Sequence, residues 1–294
     1  MKQIKSDDVV QRLISEKSQV LENKLKGEVI LIRAPMAASV DDLVRREVEI
    51  LAAQEKRSNR LIVVLETSGG SVEVVERIHD VFREYFQEVY FIIPNSAYSA
   101  GTVLALSGDE IYMDYYSVLG PIDPQIRSHN DRWVPGIGYL EKYQELIRKS
   151  AEDTITTAEM EFLVRKFDPA ELFALEQARL HSVNLICDWL PKYKFKNWTV
   201  RETSRKKVTL KCRKERAEEI AKLLGDPTEW KTHGRGISLR TLCSEKIKLK
   251  VKNFGRDKAL NVAIREYYDL FVDYCSKRGN EFAIHTKHRL KILV

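Results

Sequence analysis

The sequence predicts an α/β fold built on a parallel sheet. Its 294 residues, 44% of them hydrophobic and 31% charged, have the composition of an ordinary globular protein. The runs "RLIVVLET" (60–67) and "VYFIIP" (89–94) are continuously apolar, as strands buried on both faces of a parallel sheet are. Stretches with helical apolar spacing alternate with such runs at short intervals, which indicates right-handed β-α-β units.

The first elements are two helices on either side of a strand. Residues 6–24 have apolar residues at helical spacing and predict an amphipathic helix. "EVILIRAP" (28–35) predicts a short strand that proline ends. A second helix is expected over residues 39–57, with Ser39 at the N-cap position.

The next elements continue the alternation. After strand 60–67, the segment "VEVVERIHDVFREYF" (72–86) predicts a helix. After strand 89–94, a short helix is expected in "AGTVLALSG" and another strand in "EIYM" (110–113). We expect helices 39–57 and 72–86 to pack outside the sheet, with no exposed edge at 60–66. The side chains expected to be buried by the second of these helices are Val74, Ile78 and Phe82.

The pattern changes beyond residue 125. Helical spacing dominates from 139 to 190, and further helices are expected at 214–224 and 258–277. We therefore predict three regions. They are an N-terminal helix (1–24), a core with a helical extension (25–190), and a basic α/β region (191–294) that completes the core or is appended to it.

The net charge of +6 and pI near 9.0 arise mainly from the late basic segments. Their Lys and Arg residues alternate with Val, Leu and Ile, which is typical of strands with one solvated face. Nucleic acid is not favoured as a partner, because aromatic residues are not interleaved to stack on bases. The motif formed by His285 and His288 is interpreted as part of a solvated tail rather than half of a metal site.

The cysteines and the terminal sequence indicate the compartment. The four cysteines form no C-x-x-C motif, which predicts free thiols and no zinc site: Cys187, Cys212, Cys243 and Cys275. Residues 1–20 lack the apolar core of a signal peptide, and no apolar run is long enough to span a bilayer. We expect a cytoplasmic protein without membrane contact, cofactor or metal.

Two glycine-containing turns follow buried strands and carry the chemistry. They are "TSGGSV" (67–72) and "NSAYSAGT" (95–102). A serine at a helix start is exposed, and backbone amides there point at a developing anion. A double glycine on the neighbouring strand adds amides that no side chain covers. Side by side, the turns would form an oxyanion hole beside a hydroxyl, which is the chemistry of acyl transfer.

These turns, followed by "SVLGPIDPQ", resemble the Clp-protease/crotonase superfamily. Within it, the chain is similar to Ser-Lys peptidases of the signal-peptide-peptidase-A and serine-dehydrogenase-proteinase type. The resemblance covers roughly residues 25–125. It implies a spiral of β-β-α units with a helical and basic C-terminal extension.

The resemblance also implies roles for residues in the two turns. Ser99 is the implied nucleophile, Gly70 and Ala100 are the implied oxyanion-hole donors, and Gly69 shapes the turn. Clp peptidases carry a histidine base in a loop like "SVLGPIDPQ". This chain has Asp123 and no histidine there, so a Ser-His-Asp triad of that kind is not supported.

The Ser-Lys relatives take a lysine base from a later segment. "IRKSAED" supplies Lys149 as the candidate base, with Lys142 as the alternative and His233 as a further group that could approach the site. A neutral lysine requires a lowered pKa, which desolvation provides. The apolar neighbours expected to provide that pocket are Leu146, Ile147 and Ile155.

The sequence therefore predicts a cytosolic serine peptidase that acts on peptides or unfolded chains. The alternatives are a crotonase-type acyl-CoA enzyme, which also uses two amides, and a non-catalytic scaffold of the same fold. Tyr98 is expected to line the substrate cleft, and Ser238 to cap a short helix. We also expect a homo-oligomer, because the segment 160–190 has many apolar positions, such as Phe162, Leu163, Phe173 and Leu175.

Overall fold

A seven-stranded sheet lies at the centre of the molecule. The computed structural model describes residues 5–127, 133–201, 203–230, 232 and 234–293. The strands are Glu28–Arg33 (β1), Arg60–Glu66 (β2), Glu88–Ile92 (β3), Ser96–Ala97 (β4), Glu110–Met113 (β5), Val118–Leu119 (β6), Gln125–Arg127 (β7), Trp133–Pro135 (β8), Ile237–Ser238 (β9), Lys252–Asn253 (β10), Ala283–Thr286 (β11) and Arg289–Ile292 (β12).

Helices cover the sheet and extend beyond it. They are Ser6–Leu25 (α1), Val40–Ala52 (α2), Val72–Tyr85 (α3), Ala100–Leu106 (α4), Gly136–Ala151 (α5), Thr157–Lys166 (α6), Pro169–Lys192 (α7), Leu210–Leu224 (α8), Pro227–Trp230 (α9), Leu239–Leu242 (α10) and Lys258–Ser276 (α11).

The order of the main sheet is β10-β5-β3-β2-β1-β11-β12. The five strands from β10 to β1 run parallel, and β11 and β12 add an antiparallel hairpin beside β1. Strand β2 is therefore central, as expected. Alternate residues of β2 enter two separate cores, with Val63 on the α2/α3 side and Ile62 on the α1/α11 side. Burial on both faces explains the continuous apolar runs, and the predicted α/β class is confirmed.

The chain repeats a unit of long strand, short strand and helix. Strand β3 is followed by β4 and α4, and β5 is followed by β6. The short strands β4, β6 and β9 form a second, three-stranded sheet. After β1 and β2 the short strand is reduced to bridges that pair Met36 with Gly70 and Thr67 with Ala97. Because β1, β2 and β3 run parallel, the turns that lead from them toward α2, α3 and α4 lie at the same edge of the main sheet.

The helices pack as the apolar spacing predicts, with one difference at a cap. Helix α3 buries Val74, Ile78 and Phe82. Ser238 caps α10 by accepting a hydrogen bond from Thr241 N at 3.3 Å, so this prediction is confirmed. Ser39 stands at the N-cap of α2, but its φ is 77°, outside the extended region usual for an N-cap, and its side chain accepts no capping bond.

The C-terminal region corrects two expectations. His285 is not in a solvated tail: it lies buried in β11, where its Nδ1 is 2.7 Å from the hydroxyl of Tyr267. His288, at the hairpin turn, is exposed. The late basic sequence, interpreted as strand-like, is helical from Leu210, where α8 begins four residues before the helix expected at 214–224. The apolar residues of α8 recur at helical spacing and are buried together. These residues are Ala217, Ile220, Ala221 and Leu224.

Helices α5, α6 and α7 form the extension that follows the parallel strands. Helix α7 packs on α3, α4, α5 and α8, whereas α6 buries none of its residues. Among the described residues, no helix has the length and apolar character that crossing a membrane requires. The expected region 191–294 supplies β10, β11 and β12 to the main sheet.

Candidate active site

The two glycine-containing turns lie side by side, as the sequence predicts. Thr67 N donates to Ser96 O, and Tyr98 N donates to Thr67 O, both at 3.0 Å. A Cβ placed on Gly69 would lie 2.7 Å from Cβ of Ser99, so the first turn touches the serine. Parallel pairing of the ends of β2 and β4 produces this contact.

Both glycines of the first turn are required by the backbone. Gly69 has a φ of +96° and Gly70 a φ of +143°, where side chains are rarely tolerated. A Cβ on Gly70 would also lie 2.3 Å from the carbonyl oxygen of Met36. The turn therefore presents bare backbone to Ser99.

Ser99 has a strained backbone conformation at the start of α4. Its φ is 51° and its ψ is −119°, a region that residues other than glycine seldom occupy. Such residues cost about 1–3 kcal/mol and occur mainly at functional sites. The side chain is half-buried and makes no capping bond. Among the described residues, its hydroxyl has no hydrogen-bond partner.

Two amides beside Ser99 are also without acceptors. In the described part of the chain, neither Gly70 N nor Ala100 N donates a hydrogen bond. Their neighbours are bonded: Gly69 N donates to Thr67 Oγ1 at 3.0 Å, and Gly101 N donates to Tyr98 O at 2.8 Å. These are the amides expected to form an oxyanion hole, and both remain available for a ligand oxygen.

A threonine that the sequence analysis missed holds the site together. The hydroxyl of Thr102 lies 2.8 Å from the carbonyl oxygens of both Ala97 and Gly120, and Gly120 N donates to it at 3.0 Å. A Cβ on Gly120 would lie 2.4 Å from the ring of Tyr98, so Tyr98 packs against this loop. The available signal was the single hydroxyl-bearing residue in the apolar run 100–106, because a buried hydroxyl needs a hydrogen-bond partner.

A second missed group fixes the ends of the strands from the opposite face. Glu66, the last residue of β2, accepts a hydrogen bond from Asn95 Nδ2 at 2.8 Å. Its other carboxylate oxygen accepts from Arg33 Nε and from the hydroxyl of Tyr268, both at 2.7 Å. Burial and the nearby Glu66 carboxylate raise the pKa of Tyr268, which keeps this hydroxyl a donor. The network ties β1, β2 and the second turn to α11.

The candidate base Lys149 does not lie in the expected apolar pocket. Its Nζ donates to Glu159 Oε1 at 2.6 Å and lies 3.4 Å from Glu145 Oε1. The hydrogen bond to Glu159, followed by that to Glu145, raises the pKa of Lys149, whereas a base requires a lowered one. Of the expected pocket residues, Leu146 is buried but Ile147 is 43% exposed.

The other candidate bases are Lys142 and His233. Lys142 is exposed and pairs with Glu145 at 3.0 Å, so one carboxylate contacts both candidate lysines. His233 lies outside the described residues. The described site thus contains a strained serine and two free amides, and its two candidate lysines are bound to carboxylates.

Residues 38–156 match the model of a protein family described as ClpP-like SDH-type serine proteinase. The matched segment contains both turns and the candidate lysines. The match confirms, for this part of the chain, the resemblance to the ClpP-like superfamily of serine peptidases.

Two relatives are uncharacterized proteins of Methanocaldococcus jannaschii. One is 34% identical over 93 residues, which are 32% of this chain and 30% of the relative. The other is 39% identical over 64 residues, which are 22% of each chain. The chain therefore spans less than a third of the length of either relative.

Solved structures of peptidases are similar at lower identity. A mutant of the 1510-N membrane-bound stomatin-specific protease is 22% identical, with a TM-score of 0.33, and the match covers 50% of this chain and 74% of that one. Another mutant of that protease, in complex with a substrate peptide, is 23% identical, with a TM-score of 0.33 and coverage of 50% and 70%. A ClpP1 mutant from Listeria monocytogenes is 20% identical, with a TM-score of 0.27 and coverage of 34% and 58%.

Proposed function

We propose that the chain is a serine peptidase that forms an acyl-enzyme on Ser99, with Lys149 as general base. The observation that carries the proposal is the contact of the Gly69 turn with Ser99, which leaves the amides of Gly70 and Ala100 without acceptors. A hydroxyl and two amides that have no partners among the described residues, on turns in contact with each other, suit attack on a carbonyl carbon.

The reaction proceeds in two acyl-transfer steps. Ser99 Oγ attacks the peptide carbonyl carbon while neutral Lys149 Nζ takes its proton, and the resulting oxyanion accepts bonds from Gly70 N and Ala100 N. The lysine then gives the proton to the leaving amine as the C–N bond breaks. Water attacks the acyl-enzyme, its proton passing to the lysine, and the carboxylic product leaves as Ser99 regains its proton.

For this role Lys149 must exchange its carboxylate partners for Ser99. It lies thirteen residues along α5 from Gly136, or ~20 Å of helix. Gly136 N donates to Pro124 O at 2.7 Å, which anchors the start of α5 to the loop that follows Gly120. The base step thus requires the end of α5 to part from Glu159 on α6.

The strained backbone of Ser99 favours a peptidase over a crotonase-type enzyme. Both chemistries use two amides, but stabilising an enolate needs no serine at this position. A φ of 51° carries an energetic cost that a hydroxyl nucleophile explains and an acyl-CoA site does not. A non-catalytic scaffold would have the same geometry but no competent base. Only a measurement of the reactivity of Ser99 distinguishes it from a peptidase.

A fluorophosphonate probe tests the proposal. We expect covalent labelling of the wild-type chain and none of Ser99→Ala. Ser96→Ala is the matched control, because Ser96 is also half-buried and lies three residues earlier. Labelling that survives in Ser99→Ala, or that Ser96→Ala abolishes equally, contradicts the nucleophile assignment.

The proposed substrates are peptides or unfolded chains, and the proposed assembly is a homo-oligomer. Large apolar side chains remain exposed on α6 and α7 and would be covered by another copy. They are Met160, Phe162, Val164 and Phe173. Leu175, also expected in this surface, is instead buried. A mass near 34.1 kDa by light scattering at micromolar concentration would contradict assembly.

A further inference from the structure

The positive charge of the chain is concentrated in one short stretch. Residues 199–214, "TVRETSRKKVTLKCRK", contain seven Lys or Arg residues and one Glu, a net charge of +6. This equals the net charge of the whole chain, so the other residues together are neutral. We call this stretch the basic segment.

The basic segment folds as a hairpin that leads into α8. Val200 pairs with Lys207 in an antiparallel bridge, and Val208 N donates to Thr199 O at 2.8 Å. Val208 is 4% exposed and anchors the hairpin to the protein, whereas the other described residues from 199 to 207 are exposed. The cations of residues 199–207 are thus exposed on a hairpin that is anchored to the protein.

These cations differ from the lysines that immediately precede them. Lys194 and Lys196 form ion pairs with Glu110 and Asp109 at the end of the main sheet. In the basic segment, no Lys or Arg is paired with the carboxylate of another described residue. Their charge is not neutralised within the described part of the chain, and it favours an anionic partner.

Helix α8 connects the basic segment to the candidate active site. Its fifteen residues span ~22 Å. At its far end, Leu224 O accepts a hydrogen bond from Ile122 N at 3.0 Å. Ile122 is two residues from Gly120, on which Tyr98, the neighbour of Ser99, packs. One helix therefore spans the distance between the cations and the loop beside the nucleophile.

We propose that the basic segment is a docking surface for an acidic stretch of the polypeptide substrate, which deepens the proposed function and rests on it. An extended chain rises about 3.3 Å per residue, so a substrate bridging some 25–30 Å needs roughly eight to ten residues between its acidic stretch and the scissile bond. The substrate class is then an unfolded chain with an acidic segment at that spacing.

Acidic polypeptide fits the basic segment better than other polyanions. The segment contains no aromatic residue on which a nucleic-acid base would stack. Its exposed large apolar side chains are Val200 and Leu210, which are too few to form the broad apolar face of a membrane-surface element. An extended acidic polypeptide can bind through ion pairs with the exposed cations alone.

The binding test uses the full chain with Ser99→Ala, so that binding is measured without cleavage. The probe is a fluorescein-labelled twelve-residue Glu-rich peptide, compared with a Gln-rich peptide of equal length by anisotropy. The test variant is Lys206→Gln/Lys207→Gln/Lys211→Gln. The control variant is Lys24→Gln/Lys56→Gln/Lys258→Gln, which removes the same charge from exposed lysines elsewhere.

We expect the Glu-rich peptide to bind, with an affinity that falls as salt increases, and the Gln-rich peptide not to bind. The test variant should lose about tenfold in affinity, as three weak exposed pairs predict, while the control changes little. Equal loss in both variants would overturn the proposal. So would tighter, segment-dependent binding of phosphatidylglycerol vesicles or of a twelve-nucleotide single strand.

A cleavage test then addresses the spacing in the chain with Ser99 intact. Peptides carry the acidic stretch two or nine residues from a common cleavable sequence. We expect the nine-residue spacing to give the higher kcat/KM, and the test variant to remove that difference by raising KM. Equal rates at both spacings would contradict the docking geometry. Because binding is measured without cleavage, failure of the peptidase assignment would leave the binding result interpretable.

Discussion

The two parts of the candidate site have opposite physical characters. The turns that hold Ser99 lie at the end of buried parallel strands, where backbone pairing, glycine contacts and Thr102 leave little freedom. The segment that holds Lys149 belongs to a helical extension whose neighbouring helix α6 buries none of its residues. The candidate nucleophile is held by the core, and the candidate base by ion pairs at the surface.

This difference indicates which part of the site can move. A turn fixed by backbone hydrogen bonds cannot adjust without disrupting β2 and β4. Partly exposed ion pairs such as that of Lys149 with Glu159 are individually weak and exchange readily. We therefore expect any rearrangement that completes the site to occur in α5 and α6, and the predictions below test the two parts against each other.

The largest effect is expected for Gly69→Ala, in the turns that hold Ser99. The new methyl group would meet Cβ of Ser99 at 2.7 Å, in a backbone conformation with a φ of +96°. We expect a loss of at least about 2 kcal/mol in unfolding free energy by denaturant titration, together with loss of fluorophosphonate labelling.

Gly138→Ala is the matched control for this change. A Cβ on Gly138 has no neighbour within 4 Å, and alanine favours the helix it occupies. Stability should therefore be unchanged or slightly higher. Normal labelling of Gly69→Ala would show that the first turn does not constrain the nucleophile.

The next effect concerns the candidate base in the helical extension. Lys149→Ala should lower peptidase turnover by about 10²–10⁴-fold, because general-base assistance is lost, while the melting temperature changes little. Lys149→Arg should fail as well, since a guanidinium remains protonated. Lys142→Ala, on the same helix, should have a small effect. Near-normal turnover of Lys149→Ala would make Lys142 or His233 the next candidate.

The fold and the turn that holds Ser99 could be predicted from the sequence, because both depend on local patterns. Continuous apolar strands predict burial on both faces, and small residues at positions 69–70 and 100–101 predict a close approach of backbones. The partners of Lys149 could not be predicted, because Glu159 lies on a separate helix and meets it only through tertiary packing. The burial of His285 depends similarly on β11 pairing with β1, about 250 residues away in the chain.

A moderate loss of folding stability is expected at acidic pH, because a buried histidine lies in the core. Burial, with the charges of Arg83 and Lys192, lowers the pKa of His79 to about 3. A histidine that stays neutral in the folded state opposes folding as pH falls below its unfolded pKa of about 6.5, since only the unfolded chain takes up the proton. Between pH 6.5 and 3, His79 should lower stability by up to about 1.4 kcal/mol per pH unit.

His79→Phe tests this expectation. The phenyl ring can keep the stacking on Trp189, whose ring centroid lies 4.1 Å away. Urea titrations at pH 7 and pH 4.5 should show a smaller difference for the variant than for the wild type. An unaltered difference in His79→Phe would assign the acid sensitivity to other groups, such as His285.

The smallest effect is expected at the contact that holds Lys149. The hydrogen bond from Lys149, with bonds from Thr156, lowers the pKa of Glu159 to about 2, so Glu159 is ionised beside Lys149 at neutral pH. Glu159→Gln removes the charge but keeps an oxygen that can accept from Thr156 N and cap α6. The pKa of Lys149 should then fall, and a larger fraction of neutral amine should raise turnover severalfold and shift the alkaline rise of kcat/KM to lower pH.

Glu161→Gln, an exposed change on the same helix, is the control and should change neither the turnover nor the pH profile. A pH profile of Glu159→Gln that coincides with that of the wild type would show that this contact does not restrain the base.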